Sequence, residues 1–210
     1  MKSILLAGGI LMSLLCDAQK NYDYTDTRKK NESFAKIAQK DIRADIASFA
    51  LAGVSESIGK SDLKKIPFTS FGHDAMIFNG DGIKATVTTA PFDLAKHKLD
   101  YDEKYLIKID RKPFYGGYGS LPKTYISHVY FVIGNDSIVI PPAAYADLYN
   151  LNLAYIDKGI ERTANGIYSS KDGHKFYLYL LCKDATGSYE VTWVIQDKKY
   201  VRRILDYGFM

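Results

Sequence analysis

The strongest constraint on this chain is its C-terminal stretch, residues 167–209. Four apolar segments follow one another there: IYSS, HKFYLYLLC, SYEVTWVIQ and YVRRILDY. Only Lys171-Asp172-Gly173, Asp184-Ala185-Thr186-Gly187 and Asp197-Lys198-Lys199 separate them. Tyr189, Val191, Trp193 and Ile195 alternate with Glu190, Thr192, Val194 and Gln196, the period-2 signature of a strand with one buried face. The segments read as four hairpin-linked strands. They hold the single tryptophan, so the core is expected to be built against them.

The upstream chain adds strands of the same kind. Asn79-Gly80-Asp81-Gly82 is the strongest hairpin turn, joining a strand ending at Phe78 to one starting at Ile83. Ile83, Ala85 and Val87 alternate there with Lys84, Thr86 and Thr88. Further strands are read at 68–71, 104–110, 124–133 and 137–140, with a short helical turn after Pro91 and another after Pro141-Pro142. Residues 151–163 have no assignable pattern.

Residues 32–52 instead show helical spacing. Phe34, Ile37, Ala38, Ile42, Ile46, Phe49 and Ala50 form one apolar stripe, and Gly53 is a natural stop. The expected fold class is therefore α+β: mainly antiparallel sheet, as a sandwich or strongly curved sheet, with one long N-terminal helix packed on it. Strands linked by hairpins, without alternating helices, argue against a doubly wound α/β fold.

Length and leader bound the rest. A chain of 210 residues suits one β-rich domain, taken as residues 31–210, after a polar linker at 19–30. Residues 1–18 read as a signal peptide: Lys2, then an apolar run from Ile4 to Leu15, then Cys16-Asp17-Ala18 before Gln19. The mature chain is expected to be soluble and exported, periplasmic or secreted. Lipid anchoring through Cys16 is the alternative, disfavoured because bulky Leu15 precedes the cysteine. The apolar run is short for a bilayer and no second run of spanning length follows, so no transmembrane segment is expected.

A net charge of +4 with intermingled acids and bases lacks the basic stripe of a nucleic-acid binder. With the leader removed, Cys182 is alone and shares a strand face with Phe176, Leu178 and Leu180, a pattern of burial rather than nucleophilic catalysis.

Chemistry-bearing motifs are sparse. His73, His97, His128 and His174 make none of the spacings of a metal site, and no cofactor fingerprint or nucleophile elbow is present. Asp93 and His97 stand four apart and could share a helical face; His128 shares a strand face with Ile126, Tyr130 and Val132. The cluster Asp100, Asp102, Glu103 lacks the loop of a calcium site.

One segment stands out, the glycine-aromatic loop Phe114-Tyr115-Gly116-Gly117-Tyr118-Gly119-Ser120-Leu121. Glycines permit close backbone approach and tyrosines offer flat rings with polar tips. Tyr115, Tyr118 and Lys123 are the candidate ligand-binding residues; the competing reading tucks the aromatics back over the core.

The sequence favours a non-enzymatic binding or interaction module whose ligand is an envelope glycan or a protein. One alternative is an extracytoplasmic hydrolase using Cys182 with a histidine, or a carboxylate pair. Another is a periplasmic inhibitor or immunity protein.

Overall fold

The computed structural model describes residues 33–117, 119–183 and 187–208. The expected leader, the polar linker and Tyr118 lie outside these residues. The strands of the first half are β1 (Lys64–Ile66), β2 (Phe68–Phe71), β3 (Ala75–Gly80), β4 (Ile83–Pro91), β5 (Leu99–Asp102), β6 (Tyr105–Ile109), β7 (Thr124–Ile133) and β8 (Asp136–Val139). Those of the second half are β9 (Tyr155–Asp157), β10 (Ile160–Arg162), β11 (Gly166–Ser169), β12 (Lys175–Cys182), β13 (Tyr189–Gln196) and β14 (Lys199–Tyr207).

They form two five-stranded antiparallel sheets. The C-terminal sheet has the order β1-β11-β12-β13-β14 and the other β2-β3-β4-β7-β8. Two-stranded ribbons, β5–β6 and β9–β10, stand apart from both. The four expected C-terminal strands are present in sequence order, joined by β1 at one edge.

One core is shared by the two sheets. Met76, Phe78, Val87, Ile126 and Phe131 from one pack with Phe176, Leu178, Val191, Trp193 and Ile195 from the other. Alternation alone leaves the second face of β13 for solvent, yet Glu190, Thr192 and Val194 are buried as well. They lie beneath the N-terminal segment, whose Phe34, Ile37, Ile42, Ile46, Ala47 and Ala50 pack on Tyr177, Tyr179, Leu181, Val194 and Ile204.

That segment corrects the expectation of one long helix. It is a strap of short turns: a 3-10 turn at Phe34–Lys36, helix α1 (Lys40–Ile46) and a single turn α2 (Leu51–Val54). The backbone is extended at Gln39 and again at Ala50. The sheet accounts for the second break and for the start of the strap. Glu190 accepts the backbone N–H groups of Leu51 and Ala52, each at 2.7 Å, and Asp206 accepts that of Phe34 at 2.8 Å. A helix start has free N–H donors, and at the Phe34 turn and α2 carboxylates of the sheet take the place of local caps.

A bulge changes which residues of β7 point inward. Thr88 pairs with His128 and Thr89 with Ile126, leaving Ser127 as the extra residue. Ile126 is therefore buried while His128 and Tyr130 face solvent. The expected common face for Ile126, His128 and Tyr130 does not exist. On β6 the buried residues are Leu106 and Ile109, and Tyr105 and Ile107 are outside. Residues 151–163, without pattern in the sequence, contain the β9–β10 hairpin. Among the described residues, no helix is long and apolar enough to cross a membrane.

Candidate functional site

The glycine-aromatic loop is framed by hydrogen bonds to the backbone around it. Tyr115 donates its N–H to the Asp147 carbonyl, and its own carbonyl accepts the Tyr149 N–H, both at 2.9 Å. Asn150, in the left-handed region at φ 53, ties three strands of chain together. Its Nδ2 donates to the Gly116 carbonyl at 3.0 Å, its Oδ1 accepts the Lys123 N–H at 2.7 Å, and its carbonyl accepts the Cys182 Sγ–H at 3.1 Å. Gly116, at φ +95, passes so close to Tyr149 that no side chain fits.

This frame decides the fate of the candidate residues. Tyr115 is 5% exposed, and its ring lies 5.2 Å from that of Tyr207. It is part of the core, as in the reading that tucks the aromatics inward, and offers no open face for stacking. Lys123 is exposed. Outside the loop, Tyr105 packs across Gly119, since a β-carbon there would stand 2.8 Å from its ring. Tyr105 and Leu121 are each 46% exposed, and Lys104 Nζ lies 5.3 Å from the centre of the Tyr105 ring. Among the described residues, Ser120, Leu121 and Lys123 are exposed along the loop, with Tyr105 of β6 beside Gly119.

The groups that could support hydrolysis are apart. Cys182 is fully buried in the intersheet core, and its Sγ–H points at backbone carbonyls. His97 does not pair with Asp93. Asp93 instead accepts the Ala95 N–H and pairs with Lys96, while His97 Nδ1 meets Asp110 at 2.8 Å and its ring stacks on Phe92. His174 Nδ1 meets Asp197 at 2.8 Å in exposed turns. His73 and His128 are exposed. Among the described residues, no three His, Cys, Asp or Glu side chains gather as a metal site.

Two buried acidic arrangements are structural in their contacts. Arg203, 1% exposed, holds Asp147 in a two-pronged pair at 2.6 and 2.9 Å, and both Arg203 and Trp193 donate to the Ala144 carbonyl. Glu190 and Asp206 face each other across β13 and β14. Desolvation raises the Asp206 carboxyl to about 6, the Glu190 charge adding to it and the Phe34 amide opposing. The strap lies over this pair, and the Glu190 oxygens are taken by Leu51, Ala52 and Tyr179.

The surface feature missed in the sequence is the β9–β10 hairpin. Lys158 and Gly159, at φ 51 and 79, form its tight turn. Its base is bolted to the molecule by Asn165, 1% exposed, which donates to the carbonyls of Asn152 and Leu153 and accepts the Leu181 N–H. Beyond the base every strand residue except Asp157 is exposed. Tyr155, Ile156 and Ile160 are 55, 60 and 57% exposed. Register puts Tyr155 and Ile160 on one face, with Arg162 and Asp157, and Ile156 on the other with Glu161. The signal in the sequence was Lys158-Gly159 between β-branched residues, weaker than an Asn-Gly turn.

No family model, curated protein or solved structure matches the chain.

Proposed function

We propose that the protein is an exported, non-enzymatic interaction module that offers its β9–β10 hairpin to a partner protein. The observation that carries this is the presence of large apolar side chains on both faces of a projecting hairpin with a rigid base. An isolated two-stranded ribbon is marginally stable in water, and clustered exposed apolar side chains mark contact surfaces. The charges of the hairpin, Asp157, Lys158, Glu161 and Arg162, alternate in sign, and Asp157 pairs with Arg162 at 2.9 Å. Such a balance suits a protein partner better than a polyanion. Apolar residues on two faces suit a cleft with two walls, consistent with an inhibitor or immunity role.

Export is supported by the charged, apolar and small-residue order of residues 1–18. A second reading places an envelope glycan on the loop rim. It is favoured by the half-exposed ring of Tyr105 beside Lys104, able to stack on a sugar and bond its hydroxyls.

The test separates the two surfaces. Site-specific photocrosslinkers at Tyr155 and Ile156 report whether one protein touches both faces of the hairpin. Tyr155→Ser with Ile160→Ser is expected to weaken that partner about thirtyfold, as for an interface hot spot. Tyr105→Ala with Leu121→Ala is expected to leave it unchanged. The reverse pattern would favour the glycan reading, and crosslinking from neither face would sink the hairpin reading.

A further inference from the structure

The two sheets differ in what becomes of their outer faces. That of the C-terminal sheet lies under the strap. That of the sheet β2-β3-β4-β7-β8 is open: Asn79 on β3, Lys84 on β4, His128 and Tyr130 on β7, and Ser137 and Val139 on β8 are all exposed. The side chains that alternate with them, such as Phe78, Ala85, Phe131 and Ile138, lie in the intersheet core.

Register lines up one outward side chain from each strand. Ser70 pairs with Ile77, Ile77 with Thr86, Thr86 with Tyr130, and Tyr130 with Val139. Directly paired residues share a face, so these five make one row across the whole sheet. At the usual strand spacing the row is about 19 Å long. Tyr130 is 49% exposed and Val139 77%. To one side Thr88 pairs with His128; to the other Lys84 pairs with Asn79 and Val132, and Val132 with Ser137.

The chemistry of this face is distinctive in its lack of charge. Lys84 is the one Lys, Arg, Asp or Glu in these three rows, against 25% of such residues in the whole chain. The nearest acids stand at the turns and are paired there, Asp136 with Lys198 and Asp81 with Lys64. The rows themselves offer the hydroxyls of Ser70, Thr86, Thr88 and Ser137, the amide of Asn79 and the imidazole of His128, around the ring of Tyr130.

We propose that this face is a platform for a neutral polysaccharide, laid along the row from Ser70 to Val139 with Tyr130 as its stacking ring. The charge pattern selects the ligand class. A polyanion is held by clustered Lys and Arg, which a single lysine does not supply. A tight protein interface is centred on several aromatic and arginine anchors, and this row has one aromatic and no arginine. A neutral sugar polymer presents apolar ring faces edged with hydroxyls. Those need a flat surface, an aromatic ring and uncharged groups that both donate and accept hydrogen bonds, and the rows provide all three. The surface is separate from the β9–β10 hairpin, which belongs to neither five-stranded sheet, so it does not depend on the hairpin having a partner.

Affinity electrophoresis of the full chain tests it, in gels containing laminarin, xylan or galactomannan as neutral polymers and alginate as the anionic one. At least one neutral polymer is expected to retard the protein, and alginate is not. Tyr130→Ala should weaken that retention about tenfold, the loss of one stacking ring. Thr86→Arg, which puts a long charged side chain in the middle of the row, should abolish it. Both positions are on the surface, and thermal unfolding followed by Trp193 fluorescence confirms that the variants fold. Retardation by none of the neutral polymers would overturn the proposal, as would retention that survives both substitutions. Retardation by alginate alone would make the contact ionic and overturn it too. Loss in Tyr105→Ala rather than in Tyr130→Ala would move the glycan to the loop. Sedimentation covers the remaining occupant: self-association that Thr86→Arg removes would assign the face to a second copy of the chain instead.

Discussion

A β-carbon on Gly116 would stand 2.1 Å from the carbonyl oxygen of Tyr149. Backbone cannot step aside as a side chain can, so Gly116→Ala adds a clash to the cost of a positive φ. We expect a loss of about 3 kcal/mol or more by chemical denaturation. Gly173 is the control: it too has positive φ, at +70, but nothing lies within 4 Å of its would-be β-carbon. Gly173→Ala should cost about 1–2 kcal/mol. Equal losses would mean that strain, not approach, fixes Gly116.

Asn165, itself buried, joins the hairpin base to the C-terminal sheet through three hydrogen bonds. Asn165→Ala leaves the Leu181 amide and two carbonyls without this partner, and is expected to cost about 2–4 kcal/mol. Trypsin should then cut after Lys158 faster than elsewhere under native conditions. Unchanged cleavage there would show that the turn alone holds the hairpin.

The Arg203–Asp147 pair is buried on the arginine side. Arg203→Met strands the Asp147 carboxylate and should cost about 3–5 kcal/mol, whereas Arg203→Met with Asp147→Leu should recover a large part of that. A double-mutant cycle by thermal denaturation gives the coupling; additive losses would contradict a mutually dependent pair.

Global stability should follow the Asp206 carboxyl. A carboxyl raised from 3.8 to about 6 contributes stability below about pH 4 that is lost on the way up through 6. After discount for partial exposure, the protein should be about 1 kcal/mol more stable at pH 5.0 than at 7.5, a rise of about 2–4 °C in Tm. His174, also raised, by its bond to Asp197, is exposed and adds little. Asp206→Asn should flatten the profile; a profile unchanged by it would assign the effect elsewhere.

Cys182 should be inert in the folded protein, since its side chain is fully buried. A thiol reagent is expected to titrate it only in denaturant. Rapid modification of the native chain would revive a cysteine hydrolase.

How much of this was legible depends on where the cause lies along the chain. The limits of β7 were readable because Thr124 to Ile133 carries its own β pattern. The turn at Asp81-Gly82 was readable because both residues accept positive φ, found at 54 and 73. Ser127 as a bulge was not: the misalignment is defined by Thr88 and Thr89 on another strand. The strap has a clean helical stripe, and its restart at Leu51 is held by Glu190, more than a hundred residues away. Glycines at 116 and 117 announced a close approach, but no local pattern says whether ligand or backbone arrives. The missed hairpin has exposed residues on both faces, so it lacks the alternation by which strands are recognised.

The bond from the Phe34 amide to Asp206 spans 172 positions of sequence. During synthesis the strap leaves the ribosome well before β14, the strand that completes its seat. Its apolar side chains must therefore wait, unsatisfied, until β14 has been made. Residues 33–58 are the portion on which a holding chaperone would have most to shield. Removing β14 would leave the strap without part of its seat, so a loss at one end of the fold would be felt at the other.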